Sequence, residues 1–172
     1  MTVVHRAYLL LGSNIDPQRN LPAACQFLAR HGRIVRVSNV YESPPADGSA
    51  QANYLNAAML IETPLSAAEL RRNVLPRIEA ELGRVRDPHD KFAARTIDID
   101  LALFDQDAIS TTDLQIPDPD LERRIFVAVP LAEIAPDYVH PTTGRTLREI
   151  ATQLGGSRSL RLRADVLLNS GL

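Results

Sequence analysis

Apolar and polar positions divide the chain into short strands and amphipathic helices. Residues 3–11 end in Leu9-Leu10-Leu11-Gly12, a near-continuous apolar run closed by glycine, which predicts a strand buried on both faces. Asn20 is placed to cap a helix whose Leu21, Ala24, Cys25 and Leu28 repeat at helical spacing, with Gly32 as its stop. Residues 33–41 and 53–63 alternate or are β-branched and predict two strands around the loop ESPPADGSAQA. Ser66 and Glu69 form a capping box for a second helix carrying Leu70, Val74, Ile78 and Leu82 on one face and closed by Gly83. Pro76 inside that helix predicts a kink, since an interior proline costs about 3 kcal/mol.

The segment TIDIDLALF alternates, with Ile97, Ile99, Leu101 and Leu103 on one side and Asp98, Asp100 and Ala102 on the other. The order β-α-β-β-α-β predicts an α+β, ferredoxin-like βαββαβ core with both helices on one sheet face. The rest of the chain must cover the other face. Pro130 to Ile134 reads as a short helix stopped by Pro136, Thr146 and Glu149 cap another, and SLRLR reads as an edge strand. The expectation is a three-layer α-β-α arrangement with additional C-terminal helices, in a single domain spanning 1–172.

Composition narrows the function classes. A formal net charge of −2 and a pI near 6.1 lack the basic footprint of a protein that grips long nucleic acid, so no nucleic-acid partner is expected. Cys25 is the only cysteine, which removes disulfide frameworks and thiolate zinc sites and fits a cytoplasmic setting. The N-terminal run is too short for a signal sequence, and no stretch nears the ~20 apolar residues that span a bilayer. Small-molecule substrates and a monomer are the expectation.

Asp98 and Asp100 project from one strand face with α-carbons ~7 Å apart, so both carboxylates can converge on one site. Alone, Asp-x-Asp more often marks the solvated side of a sheet. Arg84, Arg86, Lys91 and Arg95, concentrated beside the acidic pair, turn the pattern toward polyphosphate and magnesium, because hard oxygen ligands without clustered His or Cys favour that ion. No P-loop is present, so phosphate binding falls to arginines, with Arg84 and Arg95 the leading pair. Tyr54 and Asn56, two apart on one strand face, offer an aromatic surface beside an amide and suit a flat heterocycle. Core packing accounts equally well for Tyr54, Phe92 and Phe126 taken singly. The four histidines show no ligand spacing.

These residues resemble the 6-hydroxymethyl-7,8-dihydropterin pyrophosphokinase family of folate biosynthesis. LLGSN, YESPP, NYLNAA, IEAELGRVR, AARTIDIDLALF and IFVAVPLAEIAP stand in that family's order, from about Ala7 to Leu154. The resemblance implies ATP-dependent transfer of pyrophosphate to the hydroxymethyl oxygen of the pterin, with two magnesium ions on Asp98 and Asp100. It further implies phosphate contacts from Arg84 and Arg95, and a nucleotide side including Glu79, Arg86, Phe92, Asp118 and Arg124. The pterin would lie between Tyr54 and Phe126, read by Asn56 and by the backbone around Ser43, Pro44 and Ala46.

Three positions depart from the pattern. Asp118 stands where the family usually has an ATP-facing His, Pro76 where Gln is common, and Phe92 where Trp is common in one branch. A carboxylate 4 Å from a phosphate charge costs ~4 kcal/mol at an effective dielectric near 20 unless metal or Arg124 compensates. The alternatives to a working pyrophosphokinase are a divergent paralogue acting on another pterin or nucleotide, and a catalytically weak pterin-binding protein.

Overall fold

The computed structural model describes residues 2–168. Its centre is an antiparallel sheet in the order β5-β1-β4-β3-β8, with β2 also pairing with β4. These strands are β1 (His5–Ser13), β2 (Arg33–Val37), β3 (Tyr41–Ser43), β4 (Tyr54–Thr63), β5 (Asp98–Phe104) and β8 (Arg161–Leu162). The tail strand expected in SLRLR is β8, paired with β3 at the edge. A separate two-stranded ladder joins β6 (Ile109–Ser110) to β7 (Gln115–Ile116).

Each sheet face buries its own core, which is why β1 is apolar almost throughout. Ala7, Leu9 and Leu11 pack with α1 (Pro17–Leu28) and α3 (Leu75–Glu81), while Tyr8 and Leu10 pack with α4 (Ile125–Ile134) and α5 (Leu147–Gln153). No helix among the described residues is long and apolar enough to cross a membrane.

Several local expectations are corrected. The cap of α1 is Asp16, in left-handed backbone at φ 44°, and Asn20 lies within the helix donating to the Ile15 carbonyl at 2.7 Å. Gly32 serves close packing: a Cβ there would stand 2.6 Å from the Glu62 carbonyl oxygen. The segment 33–41 is split, because only β2 and β3 within it are strand. Alternation along β5 breaks at a bulge opposite Tyr8 and Leu9, so Leu103 joins Ala102 in the α4–α5 core and Phe104 takes the opposite face. The helix expected at 130–134 begins five residues earlier, at Ile125, with Pro130 inside it.

Pro76 is accommodated by a change of helix type. The Ser66 capping box opens α2 (Ala67–Glu69), a π-helical turn occupies Leu70–Val74, and α3 restarts with Pro76 in its first turn. In the wide turn the Leu75 N–H donates to the Leu70 carbonyl. Proline is tolerated at a helix start because the N–H it lacks has no partner there in any case.

Candidate active site

The register of three strands lays out the floor of a cavity of about 1000 Å³. Gly12 in β1 pairs with Asp98 on one side and Asn56 on the other, and Leu10 likewise separates Asp100 from Ala58. Asp98, Gly12 and Asn56 thus form one transverse row, with the two polar residues two strand spacings, or about 10 Å, apart. The missing side chain of Gly12 leaves the row open: an added Cβ would sit 3.5 Å from Asn56 Oδ1 and 3.9 Å from the Tyr54 ring.

The structure brings the sequence-derived candidates together. Ser43, Pro44, Ala46, Tyr54, Asn56 and Phe126 line the same cavity as Glu79, Arg84, Arg86, Phe92, Arg95, Asp98, Asp100, Asp118 and Arg124. Asn56 is buried and donates from Nδ2 to Ser43 Oγ at 2.8 Å and to the Tyr41 carbonyl at 3.3 Å, leaving Oδ1 as an acceptor. Phe92 is 46% exposed on the 84–94 loop, so it is not core. Phe126 is half-buried against the α4–α5 core.

Carboxylates hold the arginines in place. Glu79, only 4% exposed, is ion-paired with Arg84 Nη1 at 2.7 Å and accepts from Arg86 Nη2 at 3.0 Å and the Ile99 N–H at 2.9 Å. Its oxygens are therefore spent on orienting Arg84, Arg86 and the start of β5. Asp98 takes Arg84 on Oδ1 at 2.6 Å and Arg95 on Oδ2. Asp100 is open to the cavity but crowded by protein on its other sides. That desolvation pushes its carboxyl up to about 7, helped by Asp98, Asp118 and Glu79 and opposed by Arg71.

Asp118 neither points freely at the cavity nor pairs with Arg124. Its Oδ1 accepts from the Asp120 N–H at 2.9 Å and caps the short turn Pro119–Glu122, while Arg124 lies 3.9 Å from Asp120. Burial raises the Asp118 carboxyl pKa.

Asn14 and Gln51, which sequence reasoning passed over, tie the loops around the site. Asn14 accepts from the Arg95 N–H at 2.8 Å and donates to Gln51 at 3.1 Å, and Gln51 donates to the Phe92 carbonyl at 2.7 Å. The only signal for Asn14 is its place in LGSN; nothing local marks Gln51, whose partners are remote in sequence.

The family model described as 7,8-dihydro-6-hydroxymethylpterin-pyrophosphokinase matches residues 8–136. Curated relatives named 2-amino-4-hydroxy-6-hydroxymethyldihydropteridine pyrophosphokinase include one from Haemophilus influenzae, 37% identical over 91% of this chain and 97% of its own length. Another, from Methylorubrum extorquens, is 42% identical over 88% of this chain and 95% of its own. Among solved structures, Plasmodium falciparum HPPK-DHPS with pteroate has the same fold at a TM-score of 0.70 and 14% identity, covering 90% of this chain. This chain spans 43% of that longer one. The chain therefore belongs to the 7,8-dihydro-6-hydroxymethylpterin-pyrophosphokinase family.

Proposed function

We propose that the protein transfers the β- and γ-phosphates of ATP as one unit to the hydroxymethyl oxygen of 6-hydroxymethyl-7,8-dihydropterin, giving AMP and the pterin diphosphate. Family membership makes the chain an ATP-dependent diphosphotransferase of folate biosynthesis. The observation that carries the reading to these residues is the row Asp98–Gly12–Asn56, in which an amide suited to a heterocycle faces a carboxylate across an open strip of backbone. The strand order, with two crossover connections packing helices on one face, supports a ferredoxin-like core extended by α4 and α5 into three layers.

In the reaction the pterin oxygen bonds to the β-phosphorus, and the bond from that phosphorus to the α,β-bridging oxygen breaks, leaving the oxygen on AMP. The hydroxyl proton is released. Asp98 and Asp100 would hold two magnesium ions. No group of three His, Cys, Asp or Glu suited to a metal occurs among the described residues, yet the pair fits magnesium, which takes one or two carboxylates and completes its shell with phosphate and water. Bound magnesium supplies charge neutralisation on the phosphates. Arg84 and Arg95, which pair with Asp98 here, would offer their forks to the phosphate oxygens. Glu79 keeps Arg84 and Arg86 in place, and Phe92 and Arg124 close on the nucleotide.

Tyr54 and Phe126 hold the pterin ring between them, and Asn56 Oδ1 accepts from its amine with the backbone of Ser43, Pro44 and Ala46 alongside. Buried Cys25, whose thiol desolvation pushes up to about 12, suits a cytoplasmic monomer without disulfide chemistry. A panel of 6-hydroxymethyl-7,8-dihydropterin, other hydroxylated pterins and nucleosides, scored by AMP release, tests the substrate. Release confined to the first supports the reading, and release with a nucleoside alone overturns it.

A further inference from the structure

Arg71 lines both the main cavity and a smaller one of about 200 Å³ whose walls include Asp100, Asp113, Gln115 and Asp118. It is the one cation among the residues lining the smaller space, which neither Arg84 nor Arg95 reaches. The other arginines at the main cavity are already engaged among the described residues: Arg84 and Arg95 by Asp98, Arg86 by Glu79, and Arg124 by Asp120. Arg71 alone among them forms no ion pair. Its Nε donates to the Asp113 carbonyl at 3.0 Å, which fixes the stem. The Asp113 carboxylate is neutralised by the neighbouring Arg72 at 2.7 Å, so Arg71 forms no ion pair of its own and its charge acts on the nearby Asp100 carboxylate.

The position follows from the π-helical turn. Leu70–Val74 carries one more residue per turn than an α-helix, and both arginines lie in it against the turn at Asp113. Half-buried Arg71 lines the same cavity as Asp98, Asp100 and Asp118, three carboxylates that a polyphosphate would meet there. Such a surface repels an anion by several kcal/mol for each close contact unless a cation stands beside it.

We propose that Arg71 is a nucleotide-binding residue, contacting the phosphate chain of ATP at the junction of the two cavities, beside Asp100. This rests on the diphosphotransferase reading above. The test is equilibrium binding of the magnesium complex of α,β-methylene ATP, and separately of adenosine, to the wild type, Arg71→Gln, Arg71→Lys and Arg72→Gln. The Arg72 variant loosens the same Asp113 turn without touching the main cavity.

Arg71→Gln should weaken the analogue about tenfold or more, as expected for a lost charge-assisted contact, with Arg71→Lys between it and the wild type. Adenosine affinity should stay within about twofold in Arg71→Gln, as should analogue affinity in Arg72→Gln. Analogue binding within twofold of wild type in Arg71→Gln overturns the assignment. An equal loss in Arg72→Gln overturns it too, because support of the Asp113 turn would then be the whole effect. A wild type that fails to bind the analogue overturns the diphosphotransferase reading, and this inference with it.

Discussion

Gly12 lies between Asp98 and Asn56 in the floor of the cavity, and an alanine methyl there would make an ordinary contact, 3.5 Å from Asn56 Oδ1. Gly12→Ala should fold as well as the wild type or gain roughly 0.5 kcal/mol, since glycine in a strand is entropically costly. The methyl occupies the strip that substrate must cross, so turnover should fall about 10- to 100-fold. Thermal unfolding and initial rates on one preparation check both, and an unchanged rate would mean that substrate does not lie over this row. Asp100 sets stability against function. Its carboxyl, raised from the ordinary 3.8 to about 7, contributes stability that is full below about pH 4 and lost as pH rises through about 7. Asp100→Asn, uncharged throughout, should therefore raise the melting temperature at pH 8 without magnesium, match the wild type near pH 4, and abolish turnover. Melting curves at the two pH values decide it; a lower melting temperature at pH 8 would contradict the assigned desolvation. Asp118 separates cap from charge: Asp118→Ala should cost about 1 kcal/mol by losing the cap, whereas Asp118→Asn keeps an acceptor. The Asn variant should tighten ATP binding at low salt, with the gain shrinking as salt rises. Titrations at two salt concentrations check this, and an unchanged dissociation constant at low salt would show that ATP does not sense the Asp118 charge. Asp98 and Asp100 were legible in the sequence because alternation is local. The fixing of Asn14 by Arg95, 81 residues away, was not, because it belongs to the fold.

Pro76 shows how an element adapts to a residue that its pattern forbids. The apolar spacing of Leu70, Val74 and Ile78 reads as one continuous helix, but a proline within it removes a donor and crowds the preceding turn. The helix runs on through a π-helical turn, and Pro76 falls just after it, in the first turn of α3. Pro76→Ala should therefore change the unfolding free energy by less than about 1 kcal/mol, against the ~3 kcal/mol of an interior proline. Urea unfolding of both proteins measures the difference, and a gain near the larger figure would show that the helix is strained. Capping boxes at Ser66 and Thr146 were readable because both partners lie within one turn. The start of α4 was not: Ile125 to Val129 is so apolar that it carries no helical periodicity, and only burial between β4 and α5 fixes its extent. The bulge in β5 was equally hidden. It arises from pairing with β1 and moves Leu103 to the other core without any mark in β5 itself.

At the scale of the molecule, two cores lie on opposite sheet faces, and the polar ends of β1, β4 and β5 meet in the cavity, where Glu79 of α3 and Phe126 of α4 join its wall. The two flanking loops are joined through Gln51 and Phe92 and anchored to the end of β1 through Asn14, so both sides of the cavity share one frame. That arrangement suits a reaction between two bound substrates, in which holding both in register supplies much of the rate. The most direct measurement is ³¹P NMR of ATP, 6-hydroxymethyl-7,8-dihydropterin and magnesium with the protein, repeated with Asp98→Ala. The account predicts AMP and a pterin diphosphate appearing one for one with the wild type, and a rate lower by about 10³-fold or more in the variant at unchanged fold. Formation of ADP, or an equally fast Asp98→Ala protein, would contradict it.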